Sequence, residues 1–373
     1  MDQNRRNTFA LALLPMAATL PVRAGNLMLR PFGKLPDGNA VEIVTLGSED
    51  GLQAEVLTLG GTLRSLTLPV KGKRLPLVFS LPDLPAYLKD TSYLGQLVGR
   101  YGNRIAGAAF TLEGTRHQLA ANENGNQLHG GADGFHRRRW TVEQAGPASV
   151  RLSLISPDGD QGFPGEVQAS VTYSLSAQGV LRIDLRAASS APCPVSLSNH
   201  AYFNLDPSHG DARGHALQIK ASHYLPVDGA LIPQAALAPV QHGGYNFKIP
   251  RTVRAALAAV VAGGHPPGFD HAWLLAQDPD NSATPAAVLQ SSDRKLSMAI
   301  RTSLPALQFY DGRHLHALCD RDGKPYPAFA GFALEPEFLP DSPNRPDWPQ
   351  PSCILRPGYP MHHYIELAFQ AHA

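Results

Sequence analysis

The sequence predicts an all-β protein made of antiparallel strands, and two observations support this fold class. Hydrophobic and polar residues alternate over many short stretches, which is the period expected of strands that bury one face. Glycine and proline number 34 and 33 among the 373 residues, and their abundance indicates frequent turns. Strand patterns do not alternate with long helical patterns, so a parallel α/β sheet is not expected.

The clearest predicted element is a hairpin. Hydrophobic residues occupy every second position over 167–175 and again over 181–186, with Gly179 in the turn between them. The same alternation predicts further strands at 41–46, 52–68, 150–155 and 296–301. Helical patterns are few and short, at 85–90 and 253–261. Because no repeat or interdomain linker occurs, residues 25–373 are expected to form one domain.

Residues 1–24 have the pattern of a secretory signal peptide. Arg5 and Arg6 supply the positive charge, residues 8–20 are mostly hydrophobic, and compact residues precede a cleavage site near Ala24. The hydrophobic run is shorter than the roughly 20 residues that a membrane-spanning helix needs. We therefore predict an exported, periplasmic protein that has no membrane association after cleavage.

Charge and cysteine content narrow the function classes. The chain has 32 Lys and Arg against 31 Asp and Glu, which leaves a net charge of +1. Without a basic stripe, a nucleic-acid partner is not expected. Cys193, Cys319 and Cys353 lack the spacing of a zinc site, and an odd number cannot form a complete disulfide framework. The sequence leaves open whether two of them pair.

Five segments interrupt the strand pattern with polar residues, and they are the candidates for chemistry. They are GRYGNRI (99–105), NQLHGG (126–131), SNHAYFNL (198–205), GFDH (268–271) and LEPE (334–337). A histidine and a carboxylate can act as general acid and base, while the other polar groups hold a polyhydroxylated ligand. Taken singly, each such residue is more often structural than functional.

Taken together, the segments resemble the aldose 1-epimerases, the galactose mutarotase family. In the order of the family, the matching stretches are GRYGNRIAGAAFTLEG (99–114), NQLHGGADGFHRRRW (126–140), SPDGDQGFPGEV (156–167), LSNHAYFNL (197–205), YLPVDGALIP (224–233), GFDHAW (268–273), LQFYDG (307–312) and LEPEFLPDSPN (334–344). The resemblance implies a single large antiparallel β-sandwich of the galactose mutarotase type, with a sugar-binding cleft on one sheet. It also implies an enzyme that acts on free monosaccharides and needs neither a cofactor nor a metal.

The resemblance further implies residue roles. Glu335 matches the general base that takes the proton of the anomeric hydroxyl, and His200 matches the general acid that protonates the ring oxygen. His129 matches a second histidine that binds the sugar near the ring oxygen. The matches to groups that hold other parts of the sugar are Arg104, Asn103, Asp270 and, less closely, Gln308.

The chain departs from the family pattern next to the predicted base. Pro336 and Glu337 follow Glu335, where the family often has threonine and glutamine. In a strand Glu337 would share a face with Glu335, so it either perturbs the pKa of the base or is turned away by the backbone. Gly102 replaces a common alanine, a change that we expect to be harmless.

Three other functions are considered as alternatives to an aldose 1-epimerase. A non-catalytic sugar-binding sandwich would not be expected to keep both Glu335 and His200. A glycoside hydrolase would use two carboxylates, here Asp270 and Glu335. A metal enzyme would need one of two histidine pairs, His314 with His316 or His362 with His363. The sequence does not determine the preferred aldose, or whether the protein is a monomer or a homodimer.

Overall fold

The computed structural model describes residues 29–70, 72–234, 236–241, 243–276 and 284–372. These residues form 28 β-strands, two α-helices and several short 3₁₀ turns, which confirms the all-β prediction. Neither described helix is long and apolar enough to cross a membrane. The predicted signal peptide lies outside the described residues, so export stays a prediction.

The elements follow one another along the chain as short strands with two helical insertions. The first fourteen strands and the first helix are β1 (Leu29–Lys34), β2 (Ala40–Gly47), β3 (Gln53–Leu57), β4 (Leu63–Val70), β5 (Lys73–Pro76), α1 (Leu84–Lys89), β6 (Leu97–Val98), β7 (Arg104–Ile105), β8 (Ala109–Leu112), β9 (Thr115–Gln118), β10 (Gln127–Leu128), β11 (Thr141–Gly146), β12 (Ser149–Ser156), β13 (Val167–Leu175) and β14 (Val180–Ser189). The remaining elements are β15 (Cys193–Pro194), β16 (Ser198–Asn199), β17 (Tyr202–Phe203), β18 (Ala216–Ile219), β19 (Ala221–Tyr224), β20 (Ala238–Pro239), β21 (Arg251–Thr252), α2 (Val253–Ala262), β22 (Asp270–Leu275), β23 (Ala287–Gln290), β24 (Leu296–Thr302), β25 (Ala306–Tyr310), β26 (Phe332–Glu337), β27 (Ile354–Leu355) and β28 (Met361–Ala371).

Three antiparallel sheets contain most of the strands. The largest has nine strands in the order β11-β12-β13-β14-β28-β24-β23-β18-β21. The second has six strands in the order β17-β26-β25-β22-β19-β20, and the third contains β1 to β5 in chain order. The predicted hairpin is confirmed as β13 and β14, whose closing pair is Leu175 opposite Leu181.

Both predicted helices are present, and a side-chain cap fixes the start of each. The Asp83 carboxylate accepts a hydrogen bond from the Ala86 amide at the start of α1. The Thr252 hydroxyl accepts one from the Ala255 amide at the start of α2. Each cap satisfies an amide that has no partner within its own helix. The predicted helix positions, 85–90 and 253–261, are therefore confirmed to within one residue.

The six-stranded and nine-stranded sheets enclose one hydrophobic core, which confirms the β-sandwich. Val171 and Ile183 of the larger sheet belong to the same buried cluster as Phe309 and Leu334 of the smaller one. Because successive side chains of a strand point to opposite faces, residues next to these core positions point away from the core. The outer face of the six-stranded sheet is therefore available for a binding site.

The cysteines contribute to the structure as free thiols. Cys193 and Cys353 are buried and Cys319 is exposed, and none of the three is in a disulfide. Cys193 and Cys353 belong to the main hydrophobic core. The sequence had left their pairing open, and in this structure the two buried thiols act as small apolar side chains.

Candidate active site

Strand register brings three of the predicted site residues onto one face of the six-stranded sheet. Gln308 of β25 lies directly opposite Glu335 of β26. On the other side of β25, Gln308 lies opposite Ala272 of β22, and Asp270 is two residues away on the same face. The Gln308 amide nitrogen donates to the Asp270 carboxylate over 2.6 Å. The amide thus fixes the carboxylate beside the predicted base.

His200 reaches the same face from the link between β16 and β17. Tyr202 pairs with Ala333, and continuing that register by two residues places His200 opposite Glu335. The His200 Nε2 atom lies 3.5 Å from the Glu335 Oε1 atom. The Tyr202 ring packs beside the imidazole, with the ring centroids 5.0 Å apart. Acid and base candidates are therefore direct neighbours, although 135 positions separate them in the sequence.

A two-stranded ribbon of β7 and β10 supplies another wall of the site. Leu128 pairs with Arg104, and the next residues, Asn103 and His129, exchange two hydrogen bonds. The backbone N–H of His129 donates to the backbone carbonyl of Asn103 over 3.1 Å. The backbone N–H of Asn103 donates to the His129 Nδ1 atom over 3.0 Å. Because Nδ1 accepts, it carries no proton, and the neutral ring must carry its proton on Nε2. His129 thus offers an N–H donor to a ligand.

Gly130 follows His129 in a position that only glycine suits. Its φ is +84°, and a Cβ atom there would lie 2.0 Å from the Gly99 carbonyl oxygen. We expect Gly130→Ala to lower the free energy of unfolding by roughly 2–4 kcal/mol, the sum of left-handed strain and a forced backbone shift. Gly125→Ala is the matched control, since its φ is +83° and no atom lies within 4 Å of the added carbon. Equal losses for the two variants in urea denaturation would contradict the clash.

Arg104 is held between two carboxylates. Its guanidinium donates to both Glu123 oxygens over 2.6 and 2.9 Å, and its Nη1 atom lies 3.9 Å from an oxygen of Asp270. The bidentate contact fixes the plane of the guanidinium. Arg104 is buried but lines the same cavity as Glu335 and His200, so its remaining N–H groups are available for the predicted contact with sugar hydroxyls.

The Asn103 side chain is already engaged within the protein. Its Nδ2 atom donates to Glu337 over 2.8 Å, and its Oδ1 atom accepts from the Arg104 amide over 2.9 Å. One Nδ2 hydrogen is left for the predicted sugar contact. The β26 strand continues regularly through Glu337, so the backbone does not turn this second carboxyl away from the site.

Burial determines the protonation states of Glu335 and His200, the predicted base and acid. It raises the pKa of Glu335 well above the usual range, Glu337 and Asp270 add to the rise, and Arg104 opposes it. Burial likewise lowers the pKa of His200 to about 4. Within the described residues, Glu335 Oε2 and His200 Nδ1 have no hydrogen-bond partner. The neutral carboxyl and the neutral imidazole are therefore favoured over the ion pair.

All seven predicted site residues line a single cavity of about 650 Å³. This volume lies within the usual range for small-molecule sites. The sequence did not single out Glu123 or four tyrosines that also line it. Those are Tyr93, Tyr202, Tyr245 and Tyr310. Tyr202 and Tyr310 lie within the matching stretches 197–205 and 307–312 but were given no role, whereas Glu123 and Tyr93 lie outside every stretch that the sequence marked.

The acid–base pair also belongs to the group of side chains that could hold a metal ion. Within the described residues, ligand atoms of His129, His200 and Glu335 all lie within 4.8 Å of one another. Of the histidines considered from the sequence, His362 bonds Asp184 and His363 bonds Ser303, while His314 and His316 are exposed and His314 lines the same cavity. Within the described part of the chain, neither pair belongs to a group of three side chains that could hold a metal ion.

An antiparallel sandwich whose cavity brings a buried carboxyl and a buried imidazole together with the other predicted sugar-binding groups is typical of an enzyme that acts on carbohydrates. The family model described as Aldose 1-epimerase matches residues 42–368, which is most of the chain. The chain belongs to the aldose 1-epimerase family, and the resemblance seen in its motifs is confirmed.

Individual relatives agree with the family match. The chain is 40% identical over 337 residues to an aldose 1-epimerase from Escherichia coli (strain K12), covering 90% of this chain and 97% of the relative. It is 36% identical over 342 residues to a galactose mutarotase from Homo sapiens, covering 91% and 97%. Among solved structures, an aldose epimerase homologue from C. elegans superposes with a TM-score of 0.82 at 28% identity, covering 90% of this chain and all of that one. A galactose 1-epimerase from Lactobacillus acidophilus NCFM gives 0.78 at 25% identity, covering 93% and 99%.

Proposed function

We propose that this protein interconverts the α and β anomers of free aldoses, with Glu335 as the base and His200 as the acid. The observation that carries the proposal is the 3.5 Å approach of His200 Nε2 to Glu335 Oε1 on the wall of a cavity lined by every predicted sugar-binding residue. One proton must leave the anomeric hydroxyl and one must reach the ring oxygen, and two adjacent proton carriers suit that chemistry.

The proposed reaction begins with ring opening. The Glu335 carboxylate takes the proton of the C1 hydroxyl, and the electrons of that O–H bond form the C1 carbonyl. The C1–ring oxygen bond breaks, and its electron pair takes a proton from the His200 imidazolium. Rotation about the C1–C2 bond then presents the other face of the aldehyde. Closure reverses each proton transfer and gives the opposite anomer, so the enzyme returns to its starting state.

The buried setting favours ring opening. Before opening, the pair is a carboxylate and an imidazolium, whereas afterwards it is a neutral carboxyl and a neutral imidazole. The pair carries one transferable proton throughout, and its net charge never changes. Because burial raises the pKa of Glu335 and lowers that of His200, it favours the neutral form that ring opening produces. The attraction between the two opposite charges of the pair, the Arg104 guanidinium and the hydroxyls of the bound sugar favour the ion pair that starts the reaction.

The decisive experiment follows optical rotation after α-D-glucose or α-D-galactose is dissolved with the purified protein. We expect the rotation to approach its final value faster than in buffer alone, with the final value unchanged because the equilibrium between anomers is unchanged. The ratio of the two rates begins to rank the aldoses. No acceleration with any common aldose would refute the proposal, and calorimetric sugar binding in that case would identify a non-catalytic binding protein. Release of a monosaccharide from a disaccharide would instead support the glycoside hydrolase, with Asp270 and Glu335 as its carboxylates.

We further propose that the protein is exported and works in the periplasm as a monomer or homodimer. The support is the arrangement of charged, hydrophobic and compact residues over 1–24. N-terminal sequencing of the protein from a periplasmic extract should begin near residue 25. Recovery of the uncleaved chain from the cytoplasm alone would contradict this proposal.

A further inference from the structure

One fully buried carboxyl near the site has no part in the proposed reaction. Glu337 is 0% exposed and is absent from the described residues that line the cavity. It lies on the same face of β26 as Glu335, two residues further along. A buried carboxyl is costly unless something compensates for its desolvation, so its contacts indicate what it does.

Glu337 has one hydrogen-bond partner among the described side chains, the Asn103 amide. Asn103 Nδ2 donates to Glu337 Oε1 over 2.8 Å, while Glu337 Oε2 is without a partner. The opposite end of the Asn103 side chain accepts from the Arg104 amide. The side chain is therefore held at both ends, and its backbone has a left-handed φ of +63°, which is uncommon outside glycine and asparagine.

The backbone of Asn103 in turn determines the state of the His129 ring. Its N–H donates to His129 Nδ1, and its carbonyl accepts from the His129 amide. The backbone N–H of Asn103 can point at Nδ1 only while Asn103 keeps its left-handed conformation. If that conformation were lost, Nδ1 could carry the proton and Nε2 would cease to be a donor.

We propose that Glu337 is a positioning residue, which holds Asn103 so that the His129 ring keeps Nδ1 unprotonated and presents its Nε2 hydrogen to the sugar. The carboxyl acts from behind the cavity wall and does not touch the substrate. The activity readout rests on the proposed function, whereas the state of the His129 ring can be measured in the free enzyme without any sugar.

Two substitutions separate the acceptor role of Glu337 from its volume. Glu337→Gln keeps an oxygen that accepts from Asn103, and glutamine is the residue often found at this position in the family. Glu337→Leu keeps a similar volume but removes the acceptor. We expect nitrogen NMR of the histidine rings to show His129 with Nδ1 unprotonated in the wild type and in Glu337→Gln. In Glu337→Leu we expect a mixture of the two ring tautomers and a loss of kcat/KM of about ten- to hundredfold, because a displaced donor no longer meets the sugar.

The pH profile supplies an independent readout of Glu337→Gln. The charged or titratable groups that act on this carboxyl are Glu335, Tyr101, Asp270 and Arg104. Burial raises the pKa of Glu337 to about 8, so its repulsion raises the pKa of Glu335 on the basic side of the profile. Removing this carboxyl should therefore move the basic limb of the kcat/KM profile, where the pair loses its proton, to lower pH. Asp341→Asn is the control, since Asp341 is 1% exposed and absent from the described cavity lining. It should leave the His129 signal and the basic limb in place.

The proposal is overturned if Glu337→Leu folds and keeps the wild-type His129 tautomer. Should that variant fail to fold, Asn103→Ala removes the same hydrogen bond from the other side and disfavours the left-handed backbone. An unchanged His129 tautomer in Asn103→Ala would overturn the proposal equally. Failure of the proposed function can be distinguished from failure of the positioning role. In the first case the wild type would show no activity, while the His129 tautomer would still differ between the wild type and Glu337→Leu.

Discussion

Glu335→Gln is expected to lower kcat for anomer interconversion by at least about 10²–10⁴-fold, which is the usual contribution of a positioned proton carrier. The amide keeps the shape of the side chain and its hydrogen-bonding capacity but cannot take a proton from the anomeric hydroxyl. Sugar binding depends on the other cavity groups, so the dissociation constant measured by calorimetry should stay within a few-fold of the wild type. Normal turnover in this variant would remove Glu335 as the base.

The same substitution should make the protein more stable at neutral pH. The folded pKa of Glu335 lies above its unfolded value, so the favourable contribution of this carboxyl is complete only below its unfolded pKa. That contribution is lost as the pH rises toward the folded pKa. The glutamine variant has no carboxyl at this position, so its free energy of unfolding does not fall in this way. Its advantage in the free energy of unfolding should therefore grow between about pH 5 and pH 8, as checked by urea denaturation at both values. Asp341→Asn, the buried control, should keep wild-type turnover.

His200→Asn is expected to lower kcat by a similar factor, about 10²–10⁴-fold, because an amide cannot deliver a proton to the ring oxygen. The shorter amide lies where the Nδ1 side of the ring was and does not reach Glu335, so the contact made by Nε2 is lost as well. Optical rotation gives the rate, and calorimetry gives the sugar affinity. An unchanged rate would show that another group protonates the ring oxygen.

A second buried histidine provides the control for His200→Asn. His136 is 3% exposed, packs on Tyr93 with the ring centroids 4.8 Å apart, and is absent from the described cavity lining. Burial lowers the pKa of His136 to about 3 and that of His200 to about 4. Each neutral imidazole therefore contributes to the free energy of unfolding above the pKa of an unfolded histidine. That contribution is lost as the pH falls toward the folded values. His136→Asn, like His200→Asn, should remove its share of this loss of stability at acid pH, but it should keep turnover within a few-fold. This comparison separates a structural from a catalytic loss.

The two catalytic substitutions should not be additive. In the proposed mechanism Glu335 and His200 exchange protons with the same sugar, and neither completes the reaction alone. The double variant Glu335→Gln, His200→Asn should therefore be about as slow as the slower single variant. A rate loss equal to the product of the two single losses would indicate that the residues act in separate steps.

The sequence determined the class of fold because local periodicity records which face of a strand is buried. The alternation over 167–175 and 181–186 became the β13–β14 hairpin, and the patterns at 85–90 and 253–261 became the two helices. The motif segments likewise identified the family, since each keeps its residue types in a short and ordered run. A pattern of this kind needs no knowledge of distant contacts.

Only the tertiary structure decided how the site works, because the relevant contacts join residues far apart in the chain. Glu123 fixes Arg104, and Tyr93 packs on the His129 ring at 4.4 Å, yet neither lies in a segment that the sequence marked. The sequence placed Glu337 beside Glu335 and left its orientation open. The fold directs it to Asn103 across 234 positions, and through Asn103 to His129. Burial raises the pKa of Glu335 and lowers that of His200. The sequence does not show which single polar residues are buried.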